Sequence, residues 1–329
     1  MKKLDYNQYD YIKGINKMSK FVVITDTNCE LKKELRERFK VDEVVRAHLV
    51  TNDGVDHLSD NDWELFNTPE DFYKLIRDKK NKMSTAPASV EELKEVFRKH
   101  LQNGKDIIFL SLSSALSGTY NFAVMAKNEL KEEFPDRRVE IVDTLRYSLA
   151  VGLLTIDACR LRDEGKSLDE TLEWLETNKH RLHEMGPMDD LFYLSRKGRV
   201  SFGAAFMGTM VGVKPMGDFS REGLTNVIVK VMGIKKAIQV LTEYVKRTIE
   251  KPEEQIIFVA ETDRMKNALM IKEALEKEIH PKEIIIVTCG PTTGINVGPG
   301  LAACFYYGKP ISEGNVEEIA IMNSITGKR

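Results

Sequence analysis

The feature that most constrains this chain is a unit repeated through its first half. A short apolar run ends in hydroxyl or carboxylate side chains, and a helical pattern follows. Lys20-Phe-Val-Val-Ile-Thr-Asp26 is the first run, residues 106–112 hold another, and Val139–Asp143 a third. Continuous apolar runs of this length fit strands buried on both faces, which is the condition of a parallel sheet. Strands that alternate with helices predict an open α/β sheet covered on both sides. In such sheets ligands sit beyond the carboxyl ends of the strands.

The predicted carboxyl edge is rich in hydroxyls. Thr25-Asp26-Thr27 follows the first strand, and Ser84-Thr85 lies on the loop 82–89, which ends in the cap of a helix 90–101. Ser113, Ser114, Ser117 and Thr119 crowd the turn after the strand 106–112, and Asp143-Thr144 follows the strand 139–143. A strand that turns into a helix presents unpaired backbone N–H groups and a partial positive charge, which suit an anion. Gly118 stands where a Cβ would block close approach. Each hydroxyl alone also reads as a cap or turn residue, but four within seven residues exceed what capping requires.

Further along the first half, Asn28 is expected to cap a helix from about Glu30 to Phe39. Asn52-Asp-Gly54 marks a hairpin, and Thr68-Pro69 opens a helix. An apolar helix is expected from about Tyr147 to Arg162. Beyond Gly165 the pattern changes. Ser167 caps a charged helix to about Arg181, and a small-residue helix is expected over 200–211. Two antiparallel strands follow around 211–231, then a helix 234–250, a strand 255–260, a helix 264–278 and a strand 283–288. The expected organisation is an extension over 1–19, an α/β domain over 20–165, a second α/β domain with a mixed or antiparallel sheet over 166–308, and an arm over 309–329. The loop Cys289–Gly300 holds four glycines and two prolines, a composition that demands unusual backbone angles and close approach.

Composition narrows the function classes. The 329 residues are 42% apolar and 30% charged with a net charge of −2, which gives no electrostatic reason to expect nucleic acid or an anionic membrane. No run reaches the length of a spanning helix, and the N-terminus lacks an apolar signal core, so a cytoplasmic protein is expected. Cys29, Cys159, Cys289 and Cys304 have no paired spacing and read as free buried thiols. Nucleotide and nucleophile-elbow fingerprints are missing from the sequence. His180 and His183, three apart, read as one face of a polar helix rather than a metal site, and His48 and His57 flank the hairpin. The knuckle Arg196-Lys-Gly-Arg199 suits either an anion, an acidic partner surface or a solvated loop.

The order of these motifs resembles that of the DegV family, or EDD fold. Val23-Ile-Thr-Asp-Thr-Asn-Cys-Glu-Leu31 is similar to its opening Thr-Asp-Ser segment, and Ser84-Thr-Ala-Pro-Ala88 to its Thr-Ser-Gln-Pro-Ser loop. Ser113-Ser-Ala-Leu-Ser-Gly-Thr-Tyr120 resembles its Ser-Ser-x-Leu-Ser-Gly-Thr-Tyr motif, and Asp143-Thr-Leu-Arg-Tyr-Ser148 its Asp-Ser/Thr segment. Leu194-Ser-Arg-Lys-Gly-Arg-Val-Ser201 and Gly290–Gly300 match two later motifs, so the resemblance spans roughly 20–308. It implies a non-catalytic carrier that holds a long-chain fatty acid between its domains, needs no cofactor, and presents the carboxyl group to a fatty acid kinase for acyl phosphate formation, a step toward phospholipid synthesis. The ligand-binding residues implied are Thr27, Ser84, Thr85, Ser113, Ser114, Ser117, Gly118 and Asn296. Lys197 and Arg199 are expected to contact the partner or the phosphorylated head group. The family's His falls on Asn296 and its Gln on Ala86. The rival reading is an enzyme or binding protein for a small phosphate or acyl substrate that uses the same hydroxyls as an anion cradle.

Overall fold

The computed structural model describes residues 21–78, 80–189, 193–194, 200–201 and 212–327. The extension 1–19, the knuckle with Lys197 and Arg199, and most of the expected helix 200–211 lie outside the described residues. The first half runs β1 (Phe21–Asp26), α1 (Lys33–Arg38), β2 (Glu43–Val45), β3 (His48–Val50), β4 (Asp56–Leu58), α2 (Pro69–Arg77), β5 (Ser84–Ala86), α3 (Val90–Gln102), β6 (Asp106–Ser111), α4 (Thr119–Leu130), β7 (Val139–Asp143) and α5 (Leu149–Asp163).

The predicted parallel sheet is present, in the order β2-β1-β6-β7 with every pairing parallel. Its strands alternate within their apolar runs. Val22, Ile24, Ile107 and Phe109 pack on α3 and α4, while Phe21, Val23, Ile108 and Leu110 pack on α5. This is the period-2 consequence of a strand covered on both faces. The caps follow local chemistry. Thr68 Oγ1 accepts the Asp71 N–H at 3.1 Å, and Ser89 with Glu92 forms a capping box at α3. The helix expected from Glu30 begins later. Asn28 does not cap it: residues Thr27–Cys29 form a 3-10 turn capped by Asp26, Glu30 adopts a left-handed φ of 58° that ends this turn, and α1 starts after Lys32 with no side-chain cap.

The second half runs α6 (Leu168–Asn178), β8 (Leu182–Met185), β9 (Val200–Ser201), β10 (Val213–Phe219), β11 (Thr225–Met232), α7 (Ile234–Thr248), β12 (Ile256–Glu261), α8 (Met265–Glu278), β13 (Glu283–Thr288), α9 (Pro291–Val297), β14 (Ala302–Tyr307) and α10 (Val316–Thr326). Its main sheet is mixed, in the order β13-β12-β14-β8, with β12 parallel to β13 and antiparallel to β14. The strands β10 and β11 pair antiparallel as expected. The reading of His180 and His183 on one helix fails: α6 ends at Asn178, and His183 lies in the buried strand β8. The loop expected at 289–300 contains the two-turn helix α9, with Gly290 as its N-cap and Pro291 at its first position. From Lys309 onward the chain builds α10, whose Met322 is buried against α7 and β11.

Helix α5 explains how the two halves meet. It is apolar almost all round, with Leu149–Leu154 and Ala158–Cys159 buried, the pattern of a helix covered on every side. One core cluster joins it to Val23, Ile108 and Leu110 of the parallel sheet and to Phe258, Ala260, Ala303 and Phe305 of the mixed sheet. All four cysteines are free and buried.

Candidate ligand site

Because β1 and β6 are parallel neighbours, the turns that leave them emerge at the same edge. A cavity of about 350 Å³ opens there, between that edge, the segment carrying β3, β5 and α9, and the strands of the second half. Asn28 comes from the turn after β1, and Ser117, Gly118 and Thr119 from the turn after β6. Thr85 and Ala86 come from β5, and Thr292, Thr293 and Asn296 from α9. The rest of the wall includes Leu112, Leu116, Met188, Pro215, Met216, Val227, Leu301 and Ala303. No Lys, Arg or His lines it among the described residues.

The polar groups are arranged in small bonded sets. Asn296 Nδ2 donates to Thr85 Oγ1 at 2.9 Å and to the Thr292 carbonyl at 2.8 Å. Ser117 Oγ and Thr119 Oγ1 are 2.9 Å apart, and Ser117 Oγ accepts the Thr119 N–H at 3.3 Å. Gly118 is the N-cap of α4 and has no side chain to cap the following N–H groups. An ideal Cβ at Gly118 would meet nothing nearer than Phe122 at 3.9 Å. The N-terminus of α4, its first amide taken by Ser117 Oγ, adjoins the two hydroxyls, a suitable place for a carboxylate.

The predicted residues divide. Thr85, Ser117, Gly118 and Asn296 line the cavity, whereas Thr27, Ser84, Ser113 and Ser114 do not. Thr27 is buried, and its Oγ1 accepts the Ala47 N–H at 3.2 Å. Ser84 is exposed on β5, where it pairs with Val50. Ser113 is buried and donates to the Gly223 carbonyl at 2.8 Å, and so ties the turn to the β10–β11 connection. Ser114 is exposed, with its backbone N–H on Asp143 Oδ1 at 3.1 Å.

Sequence reasoning missed a second polar set in the wall: Tyr147, Glu184 and Thr225. Glu184 is buried and hydrogen-bonded to both hydroxyls. Burial pushes its pKa up to about 7 against the opposing bonds from Thr225 and Tyr147. Glu30, beneath the N-terminus of α9, accepts the Gly290 N–H at 2.6 Å and is pushed up to about 7 by burial as well. No local signal could have revealed Glu184, because its partners lie 37 and 41 residues away.

Comparison with known proteins agrees with this architecture. The family model described as "Uncharacterised protein, DegV family" matches residues 20–309. The DegV domain-containing protein CPE0026 of Clostridium perfringens is 34% identical over 292 residues, which is 88% of this chain and 98% of that one. A DegV family protein of Thermus thermophilus, reported for its fatty acid binding, has 26% identity and a TM-score of 0.78 over 88% of this chain and 99% of its own. A Thermotoga maritima protein reported to reveal a fatty acid binding function has 26% identity and a TM-score of 0.73 over 88% of this chain and 99% of its own.

Proposed function

Since the chain belongs to the DegV family, we propose that it is a non-catalytic carrier of long-chain fatty acids. The observation that carries this reading is the composition of the cavity wall. Hydroxyls, an amide and helix N–H groups occupy the edge of the parallel sheet, and apolar side chains such as Met188, Met216, Val227 and Leu301 form much of the rest. A small phosphate ester would leave that apolar surface uncovered. An acyl chain covers it, and the relatives reported to bind fatty acids share the fold. About 14 buried methylenes at roughly 0.8 kcal/mol each give about 11 kcal/mol gross. Association costs of roughly 4–15 kcal/mol offset much of this, so the tail sets affinity and the polar edge sets which end is held.

The carboxylate is assigned to Thr85, Ser117, Thr119 and the N-terminus of α4, with Asn296, whose two amide hydrogens go to Thr85 and Thr292, orienting the Thr85 hydroxyl. An unpaired buried charge costs far more than its bonds return, so donors are required there. Held in one place at the open edge, the carboxyl group is available to a kinase that forms the acyl phosphate, and Lys197 and Arg199 are proposed to contact that partner or the phosphorylated head group. The test is mass spectrometry of whatever extracts from the purified protein. A long-chain fatty acid near one per chain is expected, and recovery of only water-soluble ligands would refute the reading.

A further inference from the structure

Tyr147, Glu184 and Thr225 meet in the cavity wall as a closed triangle. Tyr147 Oη contacts Glu184 Oε2, Thr225 Oγ1 contacts Glu184 Oε1, and the two hydroxyl oxygens are 2.7 Å apart. Three hydrogen bonds need three hydrogens. The tyrosine and threonine hydroxyls carry one each, and an ionised glutamate carries none. With a carboxylate, both hydroxyl hydrogens go to its oxygens, and the 2.7 Å contact is left as two oxygens facing each other without a proton. A protonated glutamate supplies the missing hydrogen. The three bonds then run one way round the ring: each hydroxyl donates once and accepts once, one carboxyl oxygen donates and the other accepts.

The charges around the ring do not reverse this count. On its own strand the neighbour is His183, whose Nδ1 lies 2.5 Å from Asp218 Oδ2 and whose Nε2 donates to the Lys309 carbonyl at 2.7 Å. From β10, Asp218 accepts the Glu184 N–H at 2.9 Å and also takes the Tyr244 hydroxyl of α7 at 2.7 Å. Ahead of α5, the buried Arg146 guanidinium lies 4.8 Å over the Phe219 ring and donates to the Leu145 and Ser220 carbonyls. On β14, Tyr306 and Tyr307 stand opposite His183 and Leu182. Asp218 disfavours a charge on Glu184 and Arg146 favours one, but burial outweighs both.

The geometry points to Glu184 as a neutral carboxylic acid locked in a ring with Tyr147 and Thr225, so that the cavity accepts an apolar acyl chain while the ring is protonated and loses affinity for it when Glu184 releases its proton to water. The ligand half of this inference rests on the acyl-chain reading of the cavity, whereas the proton count does not. An ionised wall would oblige the chain to lie against an unpaired charge, or a water to enter beside it, and either opposes burial of methylenes.

The test uses the full-length, delipidated protein. Infrared difference spectroscopy between about pH 5.5 and 8.5 is expected to show the carbonyl stretch of a protonated carboxylic acid that is missing in Glu184→Gln. Tyr147→Phe, which leaves the acid but removes a hydroxyl bonded to it, should shift that band and so identifies it even if the glutamine variant fails to fold. Binding of palmitate and of hexadecanol, whose head group does not titrate, is expected to weaken at least tenfold over the same range in the wild type and to stay level in Glu184→Gln. A band unaffected by either substitution overturns the neutral acid. An equal pH dependence of binding in wild type and Glu184→Gln overturns the gating. If neither lipid binds at any pH while the band is present, the acyl-chain reading falls and takes the gating with it, and the ring stands alone.

Discussion

Replacement of Ala303 by leucine tests how the cavity measures its ligand. Ala303 lies on β14 in the cavity wall beside Gly186, where an ideal Cβ would meet the Ala303 Cα at 2.3 Å and the Ala302 carbonyl oxygen at 2.1 Å. The wall is therefore low here because two small residues make it so, and no side chain can be added at Gly186. Ala303 borders the cavity of about 350 Å³ as well as the core around α5, so carbons added there compete with the ligand for space. Leucine brings about three more carbons, and a filled cavity must give up a similar number of ligand methylenes. At roughly 0.8 kcal/mol per methylene this removes about 2.4 kcal/mol, or an affinity loss of about fiftyfold for the longest chain that the wild type retains. The assay is competition binding across saturated fatty acids of increasing length, with mass spectrometry of the co-purified lipid. The preferred length should shorten by about three carbons. The melting temperature serves as control, since strain in the wall would lower it without changing the length preference. An unchanged length profile in a folded variant would show that the tail does not reach Ala303 and would refute this account of the wall.

Three further outcomes follow from the bonds described. Asn296→Ala removes the donor that orients Thr85 Oγ1 and should weaken palmitate up to about tenfold, because the Thr85 hydroxyl is no longer held to give its charge-assisted bond to the carboxylate, while hexadecanol binding stays unchanged; equal loss for both ligands in equilibrium titrations would make Asn296 a packing residue only. Ser113→Ala orphans the buried Gly223 carbonyl and should cost about 1–3 kcal/mol in denaturant unfolding with lipid occupancy unaltered, and a loss of lipid without a loss of stability would return Ser113 to the ligand. Glu30 and Glu184, both raised to about 7 from 4.5 by burial, bind protons more tightly folded than unfolded. Their contribution is thus fully present below the unfolded pKa and is lost as pH rises through about 7, on the order of 3 kcal/mol for each group; apo-protein melting temperatures that rise from pH 5.5 to 8 would contradict this sign.

The legible parts of the fold were those whose cause is local. Phe21–Asp26 and Asp106–Ser111 show in the sequence because a continuous apolar run is itself the condition of double burial, and α2, α3 and α6 begin where Thr68, Ser89 and Ser167 cap them. Strand β8 was hidden because His183 and Glu184 make it look polar. Their burial is possible only through Asp218, Tyr147 and Thr225, partners distant in sequence. The short strand β5 was hidden for another reason: three residues on a sheet edge carry no period. In α9 glycine hid the helix. Gly294 sits inside it where an ideal Cβ would come within 2.5 Å of the Phe72 ring, so the residue that lowers helix propensity is the one that permits α9 to pack on α2.

The same distinction governs the site. Hydroxyls after parallel strands must arrive at one edge, and so the place of the cavity could be read in the chain. Which hydroxyls face it could not, because that depends on what else competes for each one. Ser113 gives its hydrogen to the Gly223 carbonyl, and Thr27 is buried away from the cavity with its oxygen accepting the Ala47 N–H. Ser117 and Thr119 are bonded to each other and keep capacity for a ligand. A hydroxyl has one hydrogen to donate, and once a distant carbonyl takes it the residue belongs to the fold. The crowding of the turn is thus the sum of two demands at one bend, Ser113 fastening it to the second half of the chain and Ser117 with Thr119 facing the cavity.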